Sequence, residues 1–304
     1  MNKKICSSLL YEYKQFDYIN SPNETLIKIF VGYVKPSFLF KTNILTPIHL
    51  GREIWNQASK FGSITIDDLS WLKNYCIGDN EYPDNISNLN RRIGLFTGTY
   101  FAWKNYSILG NPKYFGSFGY RKLLSPYFLK TIKNLELIIP IQEKLHPSVE
   151  EHLAKLHGNH LVDILKDAII NIYPEESYKL QNYLKRDSGY CHEIYIMKKN
   201  IFFEFCNWMY PILNYLISLD KSNFTPINSD KSKIYLNILK KSNETRDIAY
   251  IIERITGYFL YKLKSSKIKY IECNTINMRP DSIFENFDNL LIYKVLRDNI
   301  SKRI

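Results

Sequence analysis

The chain has 304 residues, 45% hydrophobic and 23% charged, with 41 Lys and Arg against 30 Asp and Glu for a formal charge of +11. That balance excludes wholesale disorder and fibrous repeats, and the length allows one large domain or two modest ones with a core that needs no staples. Five scattered cysteines (Cys6, Cys76, Cys191, Cys206, Cys273) lack CxxC spacing, which argues against a zinc ribbon or a disulfide framework and fits a reducing compartment.

The 24 tyrosines, 17 phenylalanines and 4 tryptophans bring aromatic residues to 15%. A basic, tyrosine-rich surface suits nucleic acid, an anionic membrane, or phosphorylated and sugar ligands, and composition does not choose among them. The apolar stretch after Met1-Asn2-Lys3-Lys4 is too short for a signal-peptide core. Residues 1–25 are polar and tyrosine-rich, with a turn at Ser21-Pro22-Asn23, and read as a short N-terminal extension. Ile27 to Val34, β-branched and aromatic and closed by Pro36, predicts a strand. A helix is expected over 50–60. Cys76 to Arg92 is a loop rich in Gly, Asp, Asn, Pro and Ser, long enough to be a candidate functional segment.

Ile93 to Asn105 reads as a helix with Gly94, Gly98 and Ala102 on one face. Each interior glycine costs a helix about 1 kcal/mol relative to alanine, offset either by tight packing on a sheet or by the approach of a ligand. Short buried strands are expected at Tyr114–Phe118 and Leu135–Ile139, helices over 147–184, and a strand at Cys191–Met197. The apolar run Phe202 to Leu219 is broken by Glu204, Asn207, Pro211 and Asn214, whereas a membrane span needs about 20 mostly apolar residues; it reads as a buried helix beginning at Ile201. Arg246 to Leu263 carries Ile248, Ile251, Ile252, Ile255, Phe259 and Leu263 at helical spacing. A strand at Ile268–Cys273 and a helix over 281–303 complete the chain. Strands alternating with helices predict an α/β domain spanning 26–275, followed by a helical tail at 276–304, with no internal repeat and no linker.

No Walker loop, GxGxxG, HExxH or GxSxG is present, which disfavours the commonest NTPases, dehydrogenases, zinc proteases and α/β-hydrolases. Nor does a persuasive Asp-x-Asp close an apolar strand. The loop from Asp79 through Asp84 and Asn85 to Asn90 gathers carboxylates and amides. It could coordinate a divalent cation or bond sugar hydroxyls, or simply be a solvated loop of Asx turns. From Lys113 a strand runs through Gly116 into Gly119, Tyr120, Arg121 and Lys122: glycine admits a ligand to the backbone and two cations can neutralise phosphate. The alternative is a flexible turn and a solvated basic pair. His152, His157 and His160 lie close together with Asp163 one turn on, but a zinc site needs further ligands that the sequence does not identify. On the Arg246 helix, Tyr250, Glu253 and Gly257 continue a stripe from Arg246, beside a second stripe of Asp247, Arg254, Tyr258 and Tyr261. A carboxylate flanked by cations and phenols can act as a general base, and an internal ion-pair network accounts for the same residues.

Taken in order, these segments resemble a bacterial surface-polysaccharide family, domain of unknown function 4422, whose members look like glycosyltransferases of capsule, exopolysaccharide and lipopolysaccharide clusters. The resemblance covers about residues 27 to 265. It rests on Ile27-Lys-Ile-Phe-Val-Gly-Tyr33, Pro47-Ile-His-Leu-Gly51-Arg52, Gly78-Asp-Asn, Asp84-Asn85-Ile-Ser87, Tyr100-Phe-Ala-Trp-Lys-Asn105 and Tyr120-Arg121-Lys122. Tyr195-Ile-Met-Lys-Lys199, Cys206-Asn-Trp208 and Ile252-Glu253-Arg254 complete it. Where the family has Glu-Leu-Thr, His-Tyr-Arg-Arg and Asn-Met-Phe-Ile-Met, this chain has Leu95-Phe96-Thr97, Gly119-Tyr120-Arg121-Lys122 and Glu193-Ile-Tyr-Ile-Met197, marking a divergent member.

The resemblance implies a GT-A-like (Rossmann-like) nucleotide-sugar-binding domain with a mixed, mainly parallel sheet flanked by helices. It implies a donor, a UDP-hexose in pyranose or furanose form, contacted by Tyr33, Gly51, Arg52, Asp84, Asn85, Gly119, Tyr120, Arg121 and Lys122. Arg121 and Lys122 would stabilise the departing diphosphate, partly or wholly in place of a divalent metal (Mn or Mg). Glu253 becomes the candidate base, with His157, Glu193 and Arg254 on the acceptor side. The implied enzyme is a cytoplasmic hexosyltransferase, peripheral at the inner membrane face, acting on a lipid-linked or growing glycan. The rivals are a non-catalytic binder of nucleic acid or anionic glycan, and a degenerate member that binds a sugar nucleotide without transferring it. Because the excess cations are scattered, as at Lys198-Lys199 and Lys240-Lys241, nucleic acid is the weaker expectation.

Overall fold

The structure is a computed structural model describing residues 2–58, 62–219 and 246–278. The expected first strand is β1 (Ile27–Tyr33), buried along its length except at half-buried Lys28. A strand buried on both faces belongs in the middle of a covered sheet. Accordingly β1 pairs in parallel with β2 (Leu45–His49) on one side and β4 (Tyr114–Gly119) on the other. Beyond β2 lies parallel β3 (Ile77–Gly78). Beyond β4 the sheet continues through β9 (Tyr195–Lys198), antiparallel to both its neighbours, to β6 (Leu137–Pro140) and then β10 (Tyr270–Cys273), which is parallel to β6. After β4 the chain doubles back as β5 (Lys122–Leu124), which pairs with β11 (Thr275–Asn277). A separate two-stranded ribbon joins β7 (Glu143–Lys144) to β8 (Ser188–Gly189).

Side chains alternate across a strand, and this decides what each face of β1 meets. Ile27, Ile29, Val31 and Tyr33 join one core with Ile5, Cys6, Leu9 and Tyr13 of α1 (Lys3–Lys14) and Leu72 of α2 (Ile66–Tyr75). Phe30 faces the other core, built by α4 (Phe96–Lys104), α6 (Asn159–Ile172), α8 (Lys199–Ser218) and α9 (Asp247–Lys264). Local signals set the helix starts: Thr65 and Asp68 form a reciprocal capping box on α2, and Ser148 caps α5 (Val149–His157). The layer also holds α7 (Ser177–Leu184). The apolar run expected as a buried helix is α8, with Ile201, Phe202, Phe205, Met209, Ile212 and Leu216 inside. Among the described residues no helix is long and apolar enough to cross a membrane.

Several expectations change. In place of a helix over 50–60 there is one short turn, Arg52–Ile54, because Gly51 takes a left-handed φ of 71°. The helix expected over Ile93–Asn105 is split at Gly94 (φ 61°) into α3 (Asn90–Ile93) and α4, so Gly94 leaves the small-residue stripe. Gly98 stays in α4 for packing: a Cβ there would lie 2.9 Å from Leu50 Cδ2. The strand expected from Cys191 shortens to β9, since residues 192–194 leave the ladder to line a cavity. Residues 1–25 contain α1, whose Tyr13 hydroxyl donates to the Leu124 carbonyl at 2.9 Å, and the 275/276 boundary falls inside β11. The helix expected over 281–303 lies outside the described residues.

Candidate active site

Ligands of open α/β sheets sit beyond the carboxyl ends of the strands, and a cavity of about 360 Å³ occupies that place at β1 and β4. From β1 it takes Gly32 and the following Val34; from the β4–β5 turn, Gly119, Tyr120, Arg121 and Lys122. Residues 192–194 form one wall, and Arg246, Ala249, Tyr250 and Glu253 another. Arg246, Tyr250 and Glu253 belong to the stripe that helical spacing predicts, since positions three and four apart share a face. Gly32 is required by the fold: a Cβ would lie 2.6 Å from both Leu50 and Leu95. At Gly119 a Cβ would meet no protein atom within 4 Å, so the backbone there is open to a ligand.

The walls carry a chain of alternating charge. Lys122 Nζ donates to Glu143 Oε1 at 2.6 Å, His192 Nε2 lies 3.3 Å from the same oxygen, and His192 Nδ1 lies 3.9 Å from Glu253 Oε1. Arg254 Nη1 donates to Glu253 at 3.0 Å, and its Nη2 meets His152 Nδ1 at 3.2 Å. His192 first, then Lys122, pulls the Glu143 carboxyl down to about 2 despite its partial burial. Burial raises the Glu253 carboxyl, opposed by Arg254 and His192. Glu193 is pushed well above the carboxylate range by burial and then by the charge of Glu253. Two neighbouring carboxyls in one cavity thus differ in their hold on a proton, the usual condition for acid–base work.

Several residues expected at the donor are elsewhere. Tyr33 is fully buried on the opposite face of β1, stacked on Tyr120 at 5.2 Å, its hydroxyl donating to Phe38 O and accepting from Phe40 N. The strand's period of two turns Gly32, not Tyr33, toward the cavity. Arg52 is consumed by the fold: its guanidinium bonds His49 Nδ1, Glu81 and the carbonyls of Leu72 and Cys76. His49, buried beside that guanidinium, is held neutral, its value pushed down to about 3. The Gly51 and Arg52 amides bond the buried Asp79, which also accepts from Ser87. Asp84 accepts from Tyr100 at 2.8 Å, and the side chain of Asn85 bonds Tyr82 O and Ser87 N, so this loop is stitched by its own turns.

On the acceptor side Glu193 lines the cavity, whereas Arg254, 3% exposed, reaches it only through Glu253. His157 stacks on Tyr250 at 3.6 Å, behind the ring that lines the wall. Four polar lining residues lie outside the expected site: His192, Arg246, Tyr250 and Asn277. Arg246 was visible as the head of the α9 stripe. His192 and its partner Glu143 carry no sequence signal, because only the fold brings their segments together.

Most carboxylates around the cleft and its neighbouring loop already have partners. Glu143 and Glu253 are committed to cations, Asp79 and Asp84 to hydrogen bonds, and cations occupy the turn where an Asp-x-Asp would sit. Among the described residues no group of three or more His, Cys, Asp or Glu side chains is placed to hold a metal.

Fold and cavity define an α/β protein of GT-A-like architecture with a charged cleft at the carboxyl ends of its central strands. The family profile described as domain of unknown function (DUF4422) matches residues 28–264, most of the chain, and the protein belongs to that family. No curated protein matches. Among solved structures the chain is similar to the WbbM bifunctional glycosyltransferase in its apo form, at 20% identity and a TM-score of 0.60. The match covers 84% of this chain and 45% of that one, so the chain spans less than half of that protein.

Proposed function

We propose that the protein is a glycosyltransferase that moves a sugar from a nucleoside-diphosphate donor to a hydroxyl of a glycan. The observation that carries the reading is the cleft itself: Arg121 and Lys122 on the β4–β5 turn face Glu253 and Glu193 across a cavity whose floor is open backbone at Gly119. The diphosphate lies against Arg121, Lys122 and Arg246, whose charges are aimed where negative charge gathers as the sugar–phosphate bond breaks. Glu253 takes the proton of the acceptor hydroxyl as its oxygen bonds the anomeric carbon. Arg254, donating to it at 3.0 Å, holds that carboxylate in place, and His192 stands between Glu143 and Glu253.

Tyr250, half-buried on the wall, offers ring surface on which a sugar packs. Glu193 presents a hydroxyl-bonding group beside the reacting atoms. The finer reading is a UDP-hexose donor and an acceptor in a growing bacterial surface polysaccharide or lipid-linked oligosaccharide at the inner membrane face. Its support is the resemblance, together with similarity to a protein that is itself a glycosyltransferase.

A thermal-shift and donor-hydrolysis screen over nucleotide sugars, each with Mn²⁺ or with EDTA, tests the reading. Stabilisation by one nucleotide class and slow hydrolysis that persists in EDTA are expected. Failure of every nucleotide sugar to stabilise the protein overturns the proposal, and stabilisation without turnover on any glycan reduces it to a sugar-nucleotide binder.

A further inference from the structure

At the opposite end of the sheet lies a second cavity of about 820 Å³. It opens where the strands begin: Leu26 precedes β1, Tyr114 starts β4, Lys198 ends β9 and Lys199 starts α8. The length of β4, about 17 Å at the usual strand rise, separates it from the cleft. Its floor is apolar. Leu26 and Tyr114 are buried at its base, the Tyr114 hydroxyl donating to Leu135 O at 2.9 Å, and Ile19 and Phe203 line it as well.

Its rim is basic. Lys113, Lys133, Lys198 and Lys199 line it against one lining carboxylate, Glu24, which pairs with Lys113. Lys198 reaches Glu136 at 3.8 Å, and the Lys199 ammonium lies over the Tyr106 and Phe203 rings at 5.3 and 6.0 Å. Like charges gathered round an apolar hollow favour an anion that also brings apolar surface. We propose that this cavity seats the phosphodiester and first acyl carbons of an anionic phospholipid, attaching the protein to acidic bilayers by the strand-start end of its sheet. An anionic polysaccharide or free phosphate complements the rim but leaves the floor bare. Docked in this way, the cleft stands about one strand length, about 17 Å, from the attached end. The inference stands apart from the transferase reading, because its test measures no turnover.

The full chain is sedimented with phosphatidylglycerol vesicles and, separately, with phosphatidylcholine vesicles in about 0.1 M salt. Binding to the first and not the second is expected. The pair Lys133→Glu and Lys199→Glu weakens that binding by about tenfold or more. The pair Lys155→Glu and Lys185→Glu, on exposed positions elsewhere with the same change of net charge, leaves it within about threefold. Absence of phosphatidylglycerol binding, equal losses in both double variants, or retention on an anionic polysaccharide without vesicle binding overturns the proposal. Dihexanoyl phosphatidylglycerol below its micelle concentration should raise the melting temperature of the unaltered chain, and inorganic phosphate should not. Equal shifts by the two overturn the lipid assignment, and this arm holds even if the first double variant does not fold.

Discussion

Arg121 and Arg52 are both arginines beside glycine-bearing turns, yet their surroundings give them opposite work. Arg121 lines the cleft, its guanidinium 5.1 Å from the Tyr120 ring centroid. Arg121→Ala should therefore weaken nucleotide-sugar binding and turnover by tenfold or more while the melting temperature holds, a loss of about 1–3 kcal/mol for a charge-assisted contact. Undiminished binding and turnover would remove Arg121 from the site. Arg52→Ala strips partners from two backbone carbonyls and from His49, and should cost about 2–3 kcal/mol of stability while the folded fraction keeps its donor affinity; chemical denaturation beside a donor titration separates the two. For Glu253 the sign of the pH effect follows from its role. A base works ionised, and burial raises its value above 4.5, so turnover should climb with pH along a limb lying above that value. Glu253→Gln should lower turnover by about 10²–10⁴-fold at every pH and erase the limb; full turnover in that variant ends the assignment.

The cleft exists because α9 approaches the segment carrying His192 and Glu193 very closely. Gly257 makes this possible: a Cβ there would stand 2.5 Å from the Tyr190 carbonyl oxygen and 2.7 Å from the Tyr183 hydroxyl. The first is backbone and has nowhere to go. Gly257→Ala should push α9 away from residues 190–194, cost about 1–3 kcal/mol and separate Glu253 from His192. A drop in melting temperature together with lost turnover is expected, and a variant matching the parent in both would show that the approach is not needed. The stripe from Arg246 to Gly257 was legible from helical period alone. The short turn after Gly51 was not: residues 50–60 have acceptable helical composition, and the turn is held by partners distant in the chain, Asp79 on the Gly51 and Arg52 amides, Ser87 on the Glu53 amide and Arg91 on the carbonyls of Ile54, Gln57 and Ala58.

The two cores lie on either side of one sheet, and the first helix completes one of them. Ile5, Cys6, Leu9 and Tyr13 are buried there, so removing residues 2–15 uncovers apolar surface worth on the order of 6 kcal/mol at about 1.5 kcal/mol per side chain. For a protein of ordinary marginal stability that truncation should abolish the cooperative melting transition; a folded, stable truncation would make α1 dispensable. All five cysteines are free and buried, consistent with a chain stabilised by its core and not by cross-links. Each end of the sheet gathers cations, Arg121, Lys122 and Arg246 at the carboxyl end and four lysines at the other.

The sequence by itself determined the α/β class, the central strand at Ile27, the buried helices from Ile201 and Arg246, and the Gly119–Lys122 turn. Each rests on local periodicity or on residues adjacent in the chain. Tertiary structure alone decided which face of β1 meets the cleft, and with it the exclusion of Tyr33. It also decided that Arg52 is spent on carbonyls and that His192 stands between Glu143 and Glu253. Those outcomes depend on pairing register and on contacts between segments far apart in the chain, which no local pattern records.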